Sequence, residues 1–105
     1  MIKVEIKETD VIEEIIIKGH AMYDEYGKDI VCASGASIAI TTVNAILRID
    51  DSAIKYEESD GYLDIKINKH DIITDKLIIN MIDLFEELKE KYSKHIEIRR
   101  CHLWC

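Results

Sequence analysis

Backbone breakers are almost absent from this chain, and their absence limits its possible folds more than any other feature. The 105 residues include no proline and only four glycines. Because these residues punctuate secondary structure, we expect mostly regular helices and strands joined by short connections. The length fits a single domain over residues 1–105. With 48% apolar residues, such a domain can build a core without metal ions or disulfides.

Two kinds of periodicity predict the elements of this domain. Alternation between apolar and polar residues, or a run of β-branched residues, predicts strands, and apolar residues at helical spacing predict helices. A turn at Ser59-Asp60-Gly61 predicts a β-hairpin, and Thr74 is the predicted N-cap of the second helix. The predicted strands are 2–6, 11–18, 53–58, 62–68 and 95–100, the helices are 32–49 and 74–92, and 21–31 is a predicted loop.

The order of these elements, ββαββαβ, predicts an α+β fold with two layers. We expect a mixed or antiparallel sheet of about five strands with two helices packed on one face. The other face of the sheet then needs cover. Homodimerisation is one way to provide it, and we expect a homodimer.

The charge balance narrows the possible partners. The formal net charge is −7 at pH 7. An acidic surface repels phosphate, so we expect no direct contact with nucleic acid. The same surface attracts basic polypeptides and speeds their encounter with the protein. A basic protein is therefore a more plausible partner than a nucleic acid.

Membrane insertion and secretion are not expected from the apolar patterning. The longest apolar runs, 15–17 and 38–40, are too short to span a bilayer. The first residues alternate like a strand and lack the charged and apolar regions of a signal peptide. We therefore expect no membrane partner and a cytoplasmic protein.

The three cysteines, Cys32, Cys101 and Cys105, are expected to be free thiols. Their number is odd, and no secretion signal accompanies them, which argues against a disulfide framework. Together with His102, the last two resemble a zinc-binding fragment, but a closed zinc site needs four ligands. We expect a redox-sensitive tail there, and we expect neither a metal ion nor a cofactor.

The most reactive combination in the sequence is a histidine and a cysteine on either side of the predicted loop. His20 follows a predicted strand, and Cys32 begins a predicted helix, where the helix dipole and free N–H groups favour a thiolate and an oxyanion. Gly27 is a possible hinge of the loop between them. From the residues alone, a buried inert cysteine and a hydrogen-bonding histidine at a strand end are the commoner readings of this pair.

The residues around this pair resemble the ribosomal-processing cysteine protease family known as Prp. The resemblance covers nearly the whole chain and includes the hairpin and a basic last strand. Its most specific part joins two fixed blocks across a short loop. The matching segments are Gly19-His20-Ala21, Gly27, Asp29-Ile30-Val31-Cys32-Ala33, Val43-Asn44-Ala45, Glu57 and Ser59-Asp60-Gly61-Tyr62-Leu63.

This resemblance implies a cysteine endopeptidase that removes the N-terminal extension of a large-subunit ribosomal protein (L twenty-seven). It implies His20 as base and Cys32 as nucleophile, in a homodimer with a mobile loop between them. Asp29 would shape the loop or orient the site, and Ser37 would be a helix serine near the pocket. Supporting or substrate-binding positions carried over by the resemblance are Gly19, Gly27, Asp29, Ala33, Ser34 and Ser37.

One position departs from the family pattern. The family serine is expected four residues after the cysteine, whereas Ser37 lies five residues after Cys32. One extra residue turns a helical side chain by about 100°. Either the helix begins later, after a longer loop, or the place of Ser37 is taken by Ser34.

Two other functions stay open from the sequence. A non-catalytic dimeric module could hold a ribosomal protein segment in the same cleft without cutting it, and the extra residue favours this alternative. A metal-sensing or redox-sensing dimer could use the C-terminal cysteines. Replacement of Cys32 separates the peptidase from both alternatives.

Overall fold

The computed structural model describes residues 1–19 and 26–102 and confirms the predicted α+β class and element order. Five strands form one mixed sheet in the order β3-β4-β2-β1-β5, in which β1 and β5 run parallel and the other neighbours run antiparallel. The elements are β1 (Ile2–Glu8), β2 (Ile12–Lys18), α1 (Tyr26–Ile49), β3 (Ile54–Ser59), β4 (Tyr62–Ile67), α2 (Ile72–Lys91) and β5 (Ile96–His102).

The core lies between one face of this sheet and the two helices. Alternate residues of β1 are buried, as expected for a strand with one covered face. Helix α1 contacts α2 and β3, and α2 also contacts β5, so the helices cover the sheet together. The largest fully buried side chains include Phe85, Ile6, Ile15, Ile46, Ile65, Ile78 and Met81.

The opposite face of the sheet is covered by its own charged side chains. Across the β1–β2 pair, the Lys7 Nζ lies 3.8 Å from the Glu14 Oε1, and the Lys18 Nζ lies 3.5 Å from the Glu5 Oε1. Between these pairs Ile16 is only 6% exposed. Long charged side chains can bury apolar surface with their methylene groups. This face therefore supplies part of the cover that we expected from a second subunit, and the homodimer stays a prediction.

Both helices begin earlier than the sequence predicts. Helix α1 begins at Tyr26 instead of Cys32, so the end of the predicted loop 21–31 is helical. A single glycine costs a helix only about 1 kcal/mol, and burial of Val31 secures the added turn in the core. Helix α2 is capped by Asp71 instead of Thr74: the Thr74 N–H donates to the Asp71 carboxylate at 2.8 Å.

The expectation that no apolar segment is long enough to cross a membrane is wrong by length and composition. Ile30–Ile49 of α1 is a continuous helical stretch of 20 residues with a mean hydropathy of 1.8. A core helix meets the same criteria. Val31, Ala39, Val43 and Ile46 of this stretch are buried in the core that the sheet and α2 share.

Candidate active site

An open cleft of about 830 Å³ lies between α1 and the β3–β4 hairpin. Helix α1 contributes one stripe of residues to it, at intervals of three, four, seven and eight from the cysteine. This spacing places side chains on a single face of a helix. Four of the five are small or compact, which leaves space in the cleft beside the helix. The stripe consists of Cys32, Gly35, Ala36, Ala39 and Ile40.

The rest of the cleft consists of an apolar floor and a polar wall. Ile2, Ile17 and Leu63 form the floor from the ends of three neighbouring strands. They belong to the same buried cluster as the core, so the floor is continuous with the core. The wall is the tip of the hairpin, namely Tyr56, Glu58, Ser59, Asp60, Gly61 and Tyr62.

Gly19 brings the chain to the edge of this cleft immediately before the predicted base. Its φ of +85° lies in the left-handed region, and its N–H donates to the Gly61 carbonyl at 2.9 Å. A Cβ atom at this position would lie 2.5 Å from the Met1 carbonyl oxygen. Both facts require glycine here. The residue that precedes His20 therefore lines the same cleft as Cys32.

Cys32 is partly exposed in the cleft, but it does not begin a helix. It is the seventh residue of α1. Only the N–H groups of the cap and first turn of a helix lack intrahelical partners, and in α1 these all precede Cys32. The prediction that free N–H groups at Cys32 form an oxyanion site is therefore wrong for this helix.

The two predicted serines lie away from the cleft. Ser37 is exposed, and five helical steps turn it by about 140° from Cys32. Ser34 is half-buried and Ala33 is exposed, and neither lines the cleft. The position four residues after the cysteine is Ala36, which does line it. The helix does not begin after a longer loop, so the first explanation for the extra residue is wrong.

Several predicted positions fall outside what the structure describes. His20 lies outside the described residues, as does the first part of the predicted loop, 21–25. Gly27 and Asp29 lie in the first turn of α1, and only their backbone is described. Gly27 is thus helical instead of a loop hinge in this structure. The catalytic and supporting roles assigned to these residues stay predictions.

The hairpin wall is a part of the site that was not predicted from the sequence. Tyr56 is half-buried, and its hydroxyl donates to the Glu58 carboxylate. Burial is the main reason that the pKa of Tyr56 rises to about 12, and the bond to Glu58 and the charge of Glu58 raise it further. The sequence did carry a signal for placing Tyr56 and Glu58 together, because residues 54, 56 and 58 alternate along β3 and so share one face of the strand.

The C-terminal thiol pair cannot be assembled from the described residues. Cys101 lies on β5 and its Sγ donates to the His102 carbonyl at 3.3 Å, while Cys105 lies outside the described range. Within 1–19 and 26–102, no group of three or more potential ligands is placed to hold a metal ion. The redox tail therefore stays a prediction.

Comparisons with known proteins identify the family. Residues 1–97 match the family model described as cysteine protease Prp. The ribosomal processing cysteine protease Prp of Staphylococcus aureus strain Mu50 is 28% identical over 103 residues, covering 93% of this chain and 97% of the relative.

Two solved structures of an essential ribosomal processing protease Prp from S. aureus share the fold. The complex with a substrate peptide has a TM-score of 0.89 and 25% identity, and the complex with a covalently linked product peptide has a TM-score of 0.85 and 26% identity. Each covers 96% of this chain and 100% of the other. These matches confirm the family resemblance: the chain belongs to the cysteine protease Prp family.

Proposed function

We propose that this cysteine protease is an endopeptidase that removes the N-terminal extension of a large-subunit ribosomal protein precursor (L twenty-seven) during ribosome assembly. Cys32 is the nucleophile and His20 the base. The observation that carries the proposal is the position of Cys32 in an open cleft with small neighbours. A family relative with this fold was solved with a substrate peptide and with a covalently linked product peptide.

The chemistry proceeds in two steps at the Cys32 sulfur. The thiolate attacks the scissile carbonyl carbon and forms a tetrahedral oxyanion, which collapses to a thioester as His20 gives its proton to the leaving amine. A water molecule then gives a proton to His20 as its oxygen attacks the thioester carbon; the C–S bond breaks, which releases the carboxylic acid and regenerates the Cys32 thiolate beside the protonated His20. The stripe at Gly35 and Ala36 leaves room for an extended peptide backbone beside the sulfur.

The same proposal includes the partners and the compartment. A net charge of −7 suits a basic ribosomal precursor as the substrate in the cytoplasm. We also propose a homodimer. Its support is an exposed apolar surface where α1 ends and α2 begins, because Ile49, Ile72 and Ile73 are 58%, 74% and 53% exposed and line one depression.

A cleavage assay on the full-length precursor of the host tests the activity, the nucleophile and the substrate together. The wild type should make a single N-terminal cut, identified by mass spectrometry. Cys32→Ala and Cys32→Ser should lower the rate by about a thousandfold or more, because the step needs the thiolate. The matched control is Cys101→Ser, which removes the other cysteine of the described residues and should leave the rate unchanged.

A binding module without catalysis is the second candidate. Its support is the helical position of Cys32, where α1 offers no free N–H groups for an oxyanion. In that case the wild type and Cys32→Ala would hold the precursor with equal affinity, and neither would cut it. Cleavage by the wild type alone would exclude this candidate, and equal cleavage by Cys32→Ala would contradict the proposed nucleophile.

A further inference from the structure

We propose that Glu58, oriented by Tyr56, is a specificity-determining residue of the cleft and binds a lysine or arginine side chain of the peptide substrate. The inference rests on the proposed peptide-binding function of the cleft. It adds a side-chain preference that the position of the nucleophile alone does not provide.

The register of the hairpin brings Glu58 to the edge of the apolar floor. On β3, Ile54 is buried, Tyr56 is half-buried and Glu58 is exposed, although all three share one face of the strand. Glu58 pairs with Leu63 of β4, and Leu63 is part of the floor. The covered face of the sheet thus opens to solvent along β3, and Glu58 occupies the open end.

The bond from Tyr56 distinguishes Glu58 from an ordinary surface carboxylate. Within 1–19 and 26–102, the Tyr56 hydroxyl is the one group seen to donate to this carboxylate, and it does so at Oε2. The second oxygen, Oε1, can accept from a ligand, while the bond at Oε2 restricts the side chain. A carboxylate restricted in this way loses less conformational entropy when it binds a cation.

The charges around the cleft favour a cationic ligand. Apart from tyrosine and Cys32, the titratable residues among those that line it are the carboxylates Glu58 and Asp60. No lysine, arginine or histidine of the described chain lines the cleft. A carboxylate beside a low-dielectric apolar floor attracts an ammonium or guanidinium group more strongly than one surrounded by water. A guanidinium group could also donate in parallel to the carboxylate.

The chain offers a matched control at the adjacent position. Glu57 lies on the same strand and carries the same charge, but it belongs to the opposite face of the sheet and does not line the cleft. Its carboxylate lies 3.9 Å from the Lys55 ammonium. Replacement of Glu57 therefore makes the same change in net charge without a change in the cleft.

The test measures peptide binding in the Cys32→Ala background, so that catalysis is not required. The probes are a fluorescent peptide from the N-terminal region of the precursor and a copy in which glutamine replaces every lysine and arginine. Measured by fluorescence anisotropy, Glu58→Gln should weaken binding of the basic peptide by about fivefold, and Glu57→Gln by less than about twofold. Neither variant should change binding of the neutral copy. Tyr56→Phe should give a smaller loss for the basic peptide.

The outcomes separate this inference from the proposed function. If the wild type cuts the precursor but Glu58→Gln weakens binding of either peptide no more than Glu57→Gln does, the inference is overturned and the peptidase remains. If Glu58→Gln selectively weakens the basic peptide while the wild type cuts nothing, the inference is supported and the peptidase falls. Equal affinity of the Cys32→Ala protein for the basic and neutral peptides overturns the inference. All three variants change exposed or half-exposed side chains, and their thermal midpoints should match that of the parent.

Discussion

The two helices differ in what their sequences specify. Helix α2 has a capping Asp71, an acidic residue in its first turn, basic residues Lys89 and Lys91 in its last turn, and one buried side. Each of these features stabilises a helix locally or packs it on the sheet. Helix α1 instead presents small residues to an open cleft. Its sequence thus serves the site as well as the core, while that of α2 serves the fold.

The two helices contact each other where the cleft-lining stripe of α1 faces the core. Gly35 of α1 is buried, and a Cβ atom at this position would lie 3.5 Å from Cε1 of Phe85 in α2. Phe85 itself is fully buried. The side chain that fills the core from α2 therefore supports the stripe of α1 that lines the cleft. If the roles differ as described, changes in α2 should act mainly on stability.

Phe85→Ala should have the largest effect on stability. Loss of a fully buried ring leaves a void beneath α1, and such a deletion costs about 3–5 kcal/mol in the free energy of unfolding. Urea denaturation followed by circular dichroism measures the loss. Leu84→Ala is the control, because Leu84 is 36% exposed on the same helix and should cost less than about 1 kcal/mol. Equal losses would show that Phe85 is not a core residue in solution.

Asp71→Ala should destabilise the protein by about 1 kcal/mol. The change removes the acceptor that Asp71 offers to the Thr74 N–H, and it leaves a donor of the first turn unpaired. Asp71→Asn retains an acceptor oxygen and should recover most of the stability. The opposite result would support the N-cap at Thr74 predicted from the sequence. In that case Thr74→Val would lose about as much stability, and Asp71→Ala would have no effect.

Gly35→Ala should stabilise the protein by about 0.5–1 kcal/mol. A glycine inside a helix is unfavourable, and the added methyl group would meet Phe85 at an ordinary contact distance. Gly19→Ala provides the contrast, because the positive φ and the nearby Met1 carbonyl make alanine unfavourable there. Destabilisation by Gly35→Ala would mean that α1 and α2 lie closer together than in this structure.

The helices also show how far sequence reasoning reaches. The apolar periodicity of α2 predicted one apolar face, because burial on one side requires that period. The predicted residues were Leu77, Ile78, Met81, Phe85, Leu88 and Tyr92. Of these, Leu77 and Tyr92 are half-buried and the others are buried, and the prediction missed Ile82. The start of α1 was not predictable in this way, since the small residues near Cys32 look alike in a loop and in a helix. Tyr56 and Glu58 were missed because their role depends on a cleft that only the assembled sheet and helix create.

Asp50, just after α1, and Lys69, shortly before α2, provide the smallest expected effect, which is a dependence of stability on pH. Asp50 follows the last residue of α1, and bonds from Ser52 and then Lys69 lower its pKa from 3.8 to about 2. A carboxyl group whose pKa is lower in the folded than in the unfolded protein stabilises the fold above the unfolded value. This contribution disappears as the pH falls through the folded value.

The predicted window therefore runs from pH 3.8 down to about 2. The difference in unfolding free energy between the wild type and Asp50→Asn should be constant above this window and shrink within it. Urea denaturation at a series of pH values measures the difference. Ser52→Ala removes the hydroxyl that contributes most to the lowered pKa, so it should flatten the same acid dependence. A difference that stays constant down to pH 2 would show that these bonds do not hold Asp50 at the end of α1 in solution.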